Sequence, residues 1–321
     1  MSSTSTDLPC VAGLHHVTAI AGDPNRSVAF YTGLLGLRLV KRTVNFDDPT
    51  AYHLYFGDGT GAPGTLLTFF YWGKHHSDAL GRIGTGAAAA LTLSIPRGAR
   101  TFWEDRLAAA RVATRREERL GDPLLSFSDP DGIPIELAES IDDRCPWNGT
   151  DVPMSQAITG LHTAPLLVRK AEATEGMLKA GLGMTRVAAE PGRTRWAAGA
   201  ARPGNFVDVV VAGTDTAAAA VGIGTVHHVA LRAPDGDVQE RLRGRLQSCG
   251  HAVSPLRDRQ YFRSIYFREP GGVLAEIATD GPGFAVDECP TRLGTTLRLP
   301  PPFEAQRDRI MAALPPLILN P

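Results

Sequence analysis

One unit, a strand followed by a helix and three more strands, can be laid along this chain four times, and that internal repeat constrains the fold more than any other feature. In the first copy residues 14–20 read as a strand. A helix follows in which Asp23 can cap the first turn, Pro24 suits it, and Gly33 and Gly36 mark the end. Strands over 37–44, 51–57 and 64–71 complete the unit. The second copy runs from a strand near 88–95, through a helix around 100–110, to 133–138. The third opens Gly160-Leu161-His162-Thr163, and its Gly181-Leu182-Gly183-Met184 echoes Gly33-Leu34-Leu35-Gly36-Leu37. The fourth begins at Thr225 and ends at Ile277. Modules two and four close alike, Asp129-Pro130-Asp131-Gly132 leading to Glu136 and Glu269-Pro270-Gly271-Gly272 leading to Glu276.

A lone βαβββ unit cannot cover both faces of its sheet, so copies should pair and curve around a shared cavity. The expected fold is therefore α+β, four βαβββ modules paired into two cup-shaped mixed β-sheets. Along the chain, 1–145 holds modules one and two, and 146–157, with Pro146 and Pro153, is the linker. Modules three and four occupy 158–282, and 283–321 is a Pro-rich tail with one short amphipathic helix near 303–314.

Charge narrows the function classes. Lys and Arg total 33 against 34 Asp and Glu, with no basic run, so nucleic acid and anionic membrane surfaces are not expected partners. No apolar stretch approaches the length of a membrane span, and the first ten residues carry no signal-peptide pattern. Cys10, Cys145, Cys249 and Cys289 are far apart, which fits reduced thiols in a cytoplasm and makes a zinc–cysteine site a poor reading.

Two histidine doublets open the first and fourth modules, in Gly13-Leu14-His15-His16-Val17-Thr18 and Thr225-Val226-His227-His228-Val229-Ala230. Strict strand alternation puts His16 with Leu14 and Thr18, opposite His15 and Val17. It puts His228 with Ala230, opposite His227 and Val229, and groups Leu274, Glu276 and Ala278. Parity does not say which face is inward. Comparison among modules bears on it: His162 aligns with His15 and Thr163 with His16, while the second module has no histidine in its opening strand. Modules two and three retain Glu136 without a matching His, and their cup is expected to be metal-free. Modules one and four together supply His16, His228 and Glu276.

Two imidazoles and one carboxylate are the facial set of a non-haem Fe(II) site with open positions, although they also suit Zn2+. No nucleophile motif, H-E-x-x-H helix or phosphate loop accompanies them, and Tyr261, Phe262 and Tyr266 give the expected pocket aromatic walls. Those points favour iron. Gly84-Thr85-Gly86 and Gly222-Ile223-Gly224 precede strands rather than helices, which argues against nucleotide binding. His53 and His251 stand without partners and read as structural; His75-His76 reads as surface. Residues 74–85 and 190–205 read as loops without pattern.

The chain resembles, over nearly its whole length, the ring-cleaving dioxygenases of the vicinal oxygen chelate (glyoxalase/bleomycin-resistance) superfamily, in the branch of hydroquinone and chlorohydroquinone 1,2-dioxygenases. Its most specific stretches are Leu14-His15-His16-Val17-Thr18, Val40-Lys41-Arg42-Thr43, Tyr52-His53-Leu54-Tyr55-Phe56, Gly61-Ala62-Pro63-Gly64-Thr65, Asp258-Arg259 with Tyr261-Phe262, and Pro270-Gly271-Gly272-Val273. The resemblance implies Fe(II), or Mn(II) in its place, at His16, His228 and Glu276. It implies supporting or substrate-contacting roles for His15, Thr18, His227, Arg259 and Tyr266. The implied reaction inserts O2 into a hydroquinone or related dihydroxybenzene and opens the ring. A small aromatic substrate and O2 are thus the expected partners, and exposed sheet edges with the Pro-rich tail make a homo-oligomer expected. Two further functions suit the same fold: a glyoxalase-like isomerase or thiol transferase using Ni, Mn or Zn, and a non-catalytic binding protein. The intact triad argues against the last.

Overall fold

The structure, a computed structural model, describes residues 10–73 and 80–319; the His75-His76 doublet lies outside them. Module one comprises β1 (Leu14–Ala21), α1 (Pro24–Val28, continued by a π-helical turn over Ala29–Leu34), β2 (Arg38–Val44), β3 (Tyr52–Gly57) and β4 (Leu66–Tyr71). Module two has β5 (Ala87–Ala88), β6 (Leu91–Pro96), α2 (Arg100–Ala109), β7 (Arg115–Arg119), β8 (Asp122–Ser128) and β9 (Pro134–Ser140). Module three has β10 (Gly160–Val168), α3 (Glu172–Ala180), β11 (Thr185–Glu190), β12 (Arg193–Ala197) and β13 (Phe206–Val211). Module four has β14 (Thr225–Ala233), α4 (Gly236–Ser248), β15 (Arg257–Asp258), β16 (Phe262–Arg268) and β17 (Leu274–Pro282). The tail adds three short 3-10 turns and α5 (Arg307–Ala313).

Local chemistry accounts for the module boundaries. The Asp23 carboxylate accepts from the Asn25 and Arg26 amides, satisfying donors that the first turn of α1 leaves open. Gly36 then takes φ 71°, a left-handed conformation that lets the chain turn into β2. Strand alternation sorts side chains between two environments. In β3 and β4, Leu54, Phe56, Leu67 and Phe69 pack in the main core, where Tyr31 of α1 meets the Phe56 and Phe69 rings at 5.3 and 4.6 Å. His53, Tyr55, Thr68 and Phe70 take the other face.

The modules pair as the repeat requires. One sheet has the order β15-β16-β17-β14-β1-β4-β3-β2, joining modules four and one; the other, β11-β12-β13-β10-β6-β9-β8-β7, joins three and two. Within each module the first and last strands run parallel, as β1 with β4 and β14 with β17. The modules meet through an antiparallel junction, β1 with β14 and β10 with β6. The result is two cup-shaped mixed sheets.

The segment 190–205, expected as a loop, contains β12, which pairs with both β11 and β13. Its alternation is inverted: Arg193 and Arg195 take the concave side and bind the buried Asp208, so the usual apolar signal is missing. The tail is also structural. Lys41 of β2, fully buried, holds Asp287 at 2.7 Å, Glu288 at 2.6 Å and the Phe284 carbonyl at 3.1 Å. Farther on, the Arg298 amide donates to the Arg42 carbonyl and covers the β2 edge. No helix among the described residues is long and apolar enough to cross a membrane.

Candidate metal centre

The junction of β1 and β14 brings His16 and His228, 212 positions apart, side by side. Their Nε2 atoms are 3.3 Å apart, and Glu276 Oε2 from β17 lies 3.4 Å from His16 Nε2 and 2.9 Å from His228 Nε2. Donors on one face of an octahedron, each about 2.1 Å from an ion, are separated by about 3 Å. The three edges match that spacing. Glu276 Oε2 is buried and has no hydrogen-bond partner among the described residues. Its other oxygen accepts from Ser264. Burial alone would raise the Glu276 pKa, but the adjacent imidazoles of His16 and His228 hold it well below the carboxylate range. An ionised, orphaned oxygen converging with two ring nitrogens is a fit for a divalent cation, and this group could hold one.

Strict alternation fails at both doublets, which corrects the expectation for His15 and His227. Leu14 and Val17 both pack in the core, as do Val226 and Val229, so each doublet sits between inward residues three apart rather than two. The β1–β14 register shifts at these points, the signature of a β-bulge. His15 consequently turns onto His16, their rings edge to edge at 5.1 Å, instead of facing away.

That contact sets proton positions. The Thr279 carbonyl, 3.1 Å from His15 Nε2, can only accept, so His15 carries its proton there. Burial and neighbouring His16 push the His15 pKa down to about 3, keeping the ring neutral with Nδ1 as acceptor. His16 Nδ1, 2.9 Å away, must then be the donor, which leaves a bare lone pair on His16 Nε2. The second doublet repeats the contact with His227 Nδ1 2.7 Å from His228 Nδ1. Burial and His228 push the His227 pKa to about 3, and burial also lowers that of His228.

Beside the triad lies a cavity of about 200 Å³, walled by Phe46, Phe70, Trp72, Phe262 and Tyr266. Of the five residues expected to support or contact substrate, His227, Arg259 and Tyr266 line it. His15 sits behind His16 against Phe262, and Thr18 Oγ1 is 2.9 Å from His228 Nε2. Arg259 donates to the Tyr266 hydroxyl at 3.1 Å and pairs with Asp47 at 3.0 Å, bridging modules four and one. Burial and the Glu276 charge raise the Tyr266 pKa, so its phenol stays protonated. Tyr261, expected in the wall, packs instead under Lys41 and against Phe284. His53, read as structural, lines the cavity. A lone histidine on one strand gives no sign of which face it takes. His251, by contrast, lies just past α4, where its amide bonds the Leu246 carbonyl.

Residues 13–137 match the Glyoxalase/Bleomycin resistance protein/Dioxygenase superfamily. A protein of Bacillus subtilis (strain 168) named "Putative ring-cleaving dioxygenase MhqO" is 42% identical over 305 residues, spanning 95% of this chain and 96% of that protein. The chain belongs to this superfamily. The chlorohydroquinone/hydroquinone 1,2-dioxygenase of Sphingobium indicum is 32% identical over 311 residues, 95% of this chain and 96% of that one. The crystal structure of a dioxygenase of Bacillus subtilis, so titled with the qualifier "putative", superposes with a TM-score of 0.92 at 40% identity, covering 97% of this chain and 99% of that one.

Within this family frame the second cup keeps the glutamate but has no imidazole at the two histidine positions. Thr92 pairs with Glu136 as Ala230 pairs with Glu276, and Thr163 stands where His16 does. Glu136 accepts from Thr92 at 2.7 Å. A cavity of about 1020 Å³ opens there, but its Arg119 and Arg193 are already paired with Glu117 and Asp208.

Proposed function

We propose that this protein is an Fe(II)-dependent, extradiol-type ring-cleaving dioxygenase acting on hydroquinone or a related dihydroxybenzene, with His16, His228 and Glu276 as ligands. One observation carries the reading: two imidazole nitrogens and an orphaned carboxylate oxygen converge at the wall of an aromatic cavity sized for a single ring. The names of full-length relatives supply the reaction class. A bound ferrous ion would lower the pKa of a phenol and bring O2 beside it.

The chain's own residues then bind and orient. Phe70, Trp72 and Phe262 give the ring apolar walls and keep water from them. His227 holds its proton on Nε2 when Nδ1 accepts from His228, and so offers an N–H to the substrate. Arg259 and the protonated Tyr266 face developing negative charge on oxygen. Mn(II) is the alternative ion. A cytoplasmic, self-associating enzyme with free thiols completes the reading.

Anaerobic reconstitution with Fe2+, then O2 and a panel of hydroquinones and catechols, should yield a ring-opened chromophore. Iron-loaded protein that opens none of them sinks the reading, and lyase activity on a glutathione hemithioacetal with bound Zn or Ni would replace it. His16→Ala, His228→Ala and Glu276→Gln should each weaken ion binding by more than about 100-fold and abolish turnover.

A further inference from the structure

We propose that Tyr55, His53 and Thr68 form a one-way hydrogen-bond chain that fixes Thr18 as a donor at the edge of the ligand triad, making His53 and Tyr55 positioning residues. Its links are Tyr55 hydroxyl to His53 Nδ1 at 3.0 Å, His53 Nε2 to Thr68 at 2.9 Å, Thr68 to Thr18 at 2.7 Å, and Thr18 to His228 Nε2 at 2.9 Å. All four side chains are buried, Thr18 and Thr68 completely. Burying so many polar groups is tolerable only when each is satisfied.

Donor counting sets the direction. Tyr55 packs against Tyr261 and Phe284 and also lines the cavity, and among the described residues its hydroxyl has no hydrogen-bond partner besides His53. To avoid an orphaned proton it must donate to His53 Nδ1. Burial, with His16 and His228 nearby, holds the His53 pKa well below its usual value, so the ring is neutral and its one proton sits on Nε2. That proton goes to Thr68. Thr68 must pass its own to Thr18, and Thr18 its own toward His228 Nε2. That makes His228 Nε2 the terminal acceptor, which requires the His228 proton on Nδ1, 2.7 Å from His227 Nδ1. Once Nε2 engages an ion it no longer accepts, and the Thr18 proton must turn to another acceptor beside the triad. Two modules contribute, β1, β3 and β4 from the first and His228 from the fourth.

The catalytic consequence rests on the ring-cleavage reading; the sense of the chain does not. In metal-free protein labelled with 15N-histidine, the His53 resonances should report a neutral ring protonated on Nε2, and Tyr55→Phe should remove that preference. A wild-type His53 protonated on Nδ1, or on both nitrogens at neutral pH, overturns the proposal. In iron-loaded enzyme, the near-isosteric Thr18→Val and Thr68→Val should each lower kcat about tenfold with KM changed less than about twofold. The double variant should lose no more than either single one. Losses that multiply would refute the chain. Iron content and melting temperature, measured on each variant, separate these effects from misfolding. Should wild-type enzyme open no dihydroxybenzene, the ring-cleavage reading falls, and the resonance measurement alone decides the chain.

Discussion

At the scale of single residues, the imidazole next to each expected ligand governs what that ligand can do. His15 Nδ1 accepts a hydrogen bond from His16 Nδ1 because His15 donates its own N–H, on Nε2, to the Thr279 carbonyl. His15→Phe should therefore weaken ion binding about 10–100-fold, read by competition with a coloured chelator. Buried neutral histidines also shape acid stability. Burial holds the His162 pKa at about 4, against about 6.5 for the unfolded chain, so between those values only the unfolded state takes up the proton. Stability must fall as pH drops through that window, and His15 and His227 add in the same direction. The urea midpoint of metal-free protein should drop between pH 7 and pH 5, with a smaller drop for His162→Gln. Of this site, the converging trio was legible because doublets and a terminal Glu recur at matching places in a repeat. The orientation of His15 and His227 was open to view in the three-residue spacing of Leu14 and Val17, yet strict alternation masks it. His53 had no such signal, since its partner Thr68 lies on another strand.

At the scale of elements, helices and strands with a two-sided pattern were readable and those with inverted polarity were not. Modules one and four were marked by their histidine doublets and by the cap and glycines around α1, whereas β12 turns arginines inward to reach Asp208 and so resembles a loop. The tail helix was visible as a short amphipathic segment, but nothing in it announces that the start of the tail, at Phe284, Asp287 and Glu288, receives Lys41. Removing one partner of a buried ion pair costs about 3–5 kcal/mol. Lys41→Met should destabilise the fold by about that amount in urea titrations, by stranding Glu288 inside the protein. Adding Glu288→Gln and Asp287→Asn to it should recover part of the loss. An unchanged midpoint for Lys41→Met would show the tail to be an ornament.

At the scale of the whole molecule, each sheet is made from two modules that are not neighbours along the chain in the first cup and are adjacent in the second. Fragments 1–150 and 151–321 should therefore bind no ion at the triad separately and regain binding when co-refolded, as followed by calorimetric titration. Because β1 waits for β14, an emerging polypeptide holds one imidazole of the triad on its first strand while more than half of it is still unmade. An ion held by this trio could be captured only after the ribosome has delivered the closing module. On the proposed function, a product ending before Glu276 would lack a complete ligand set, so ion loading would report that all four modules have been made.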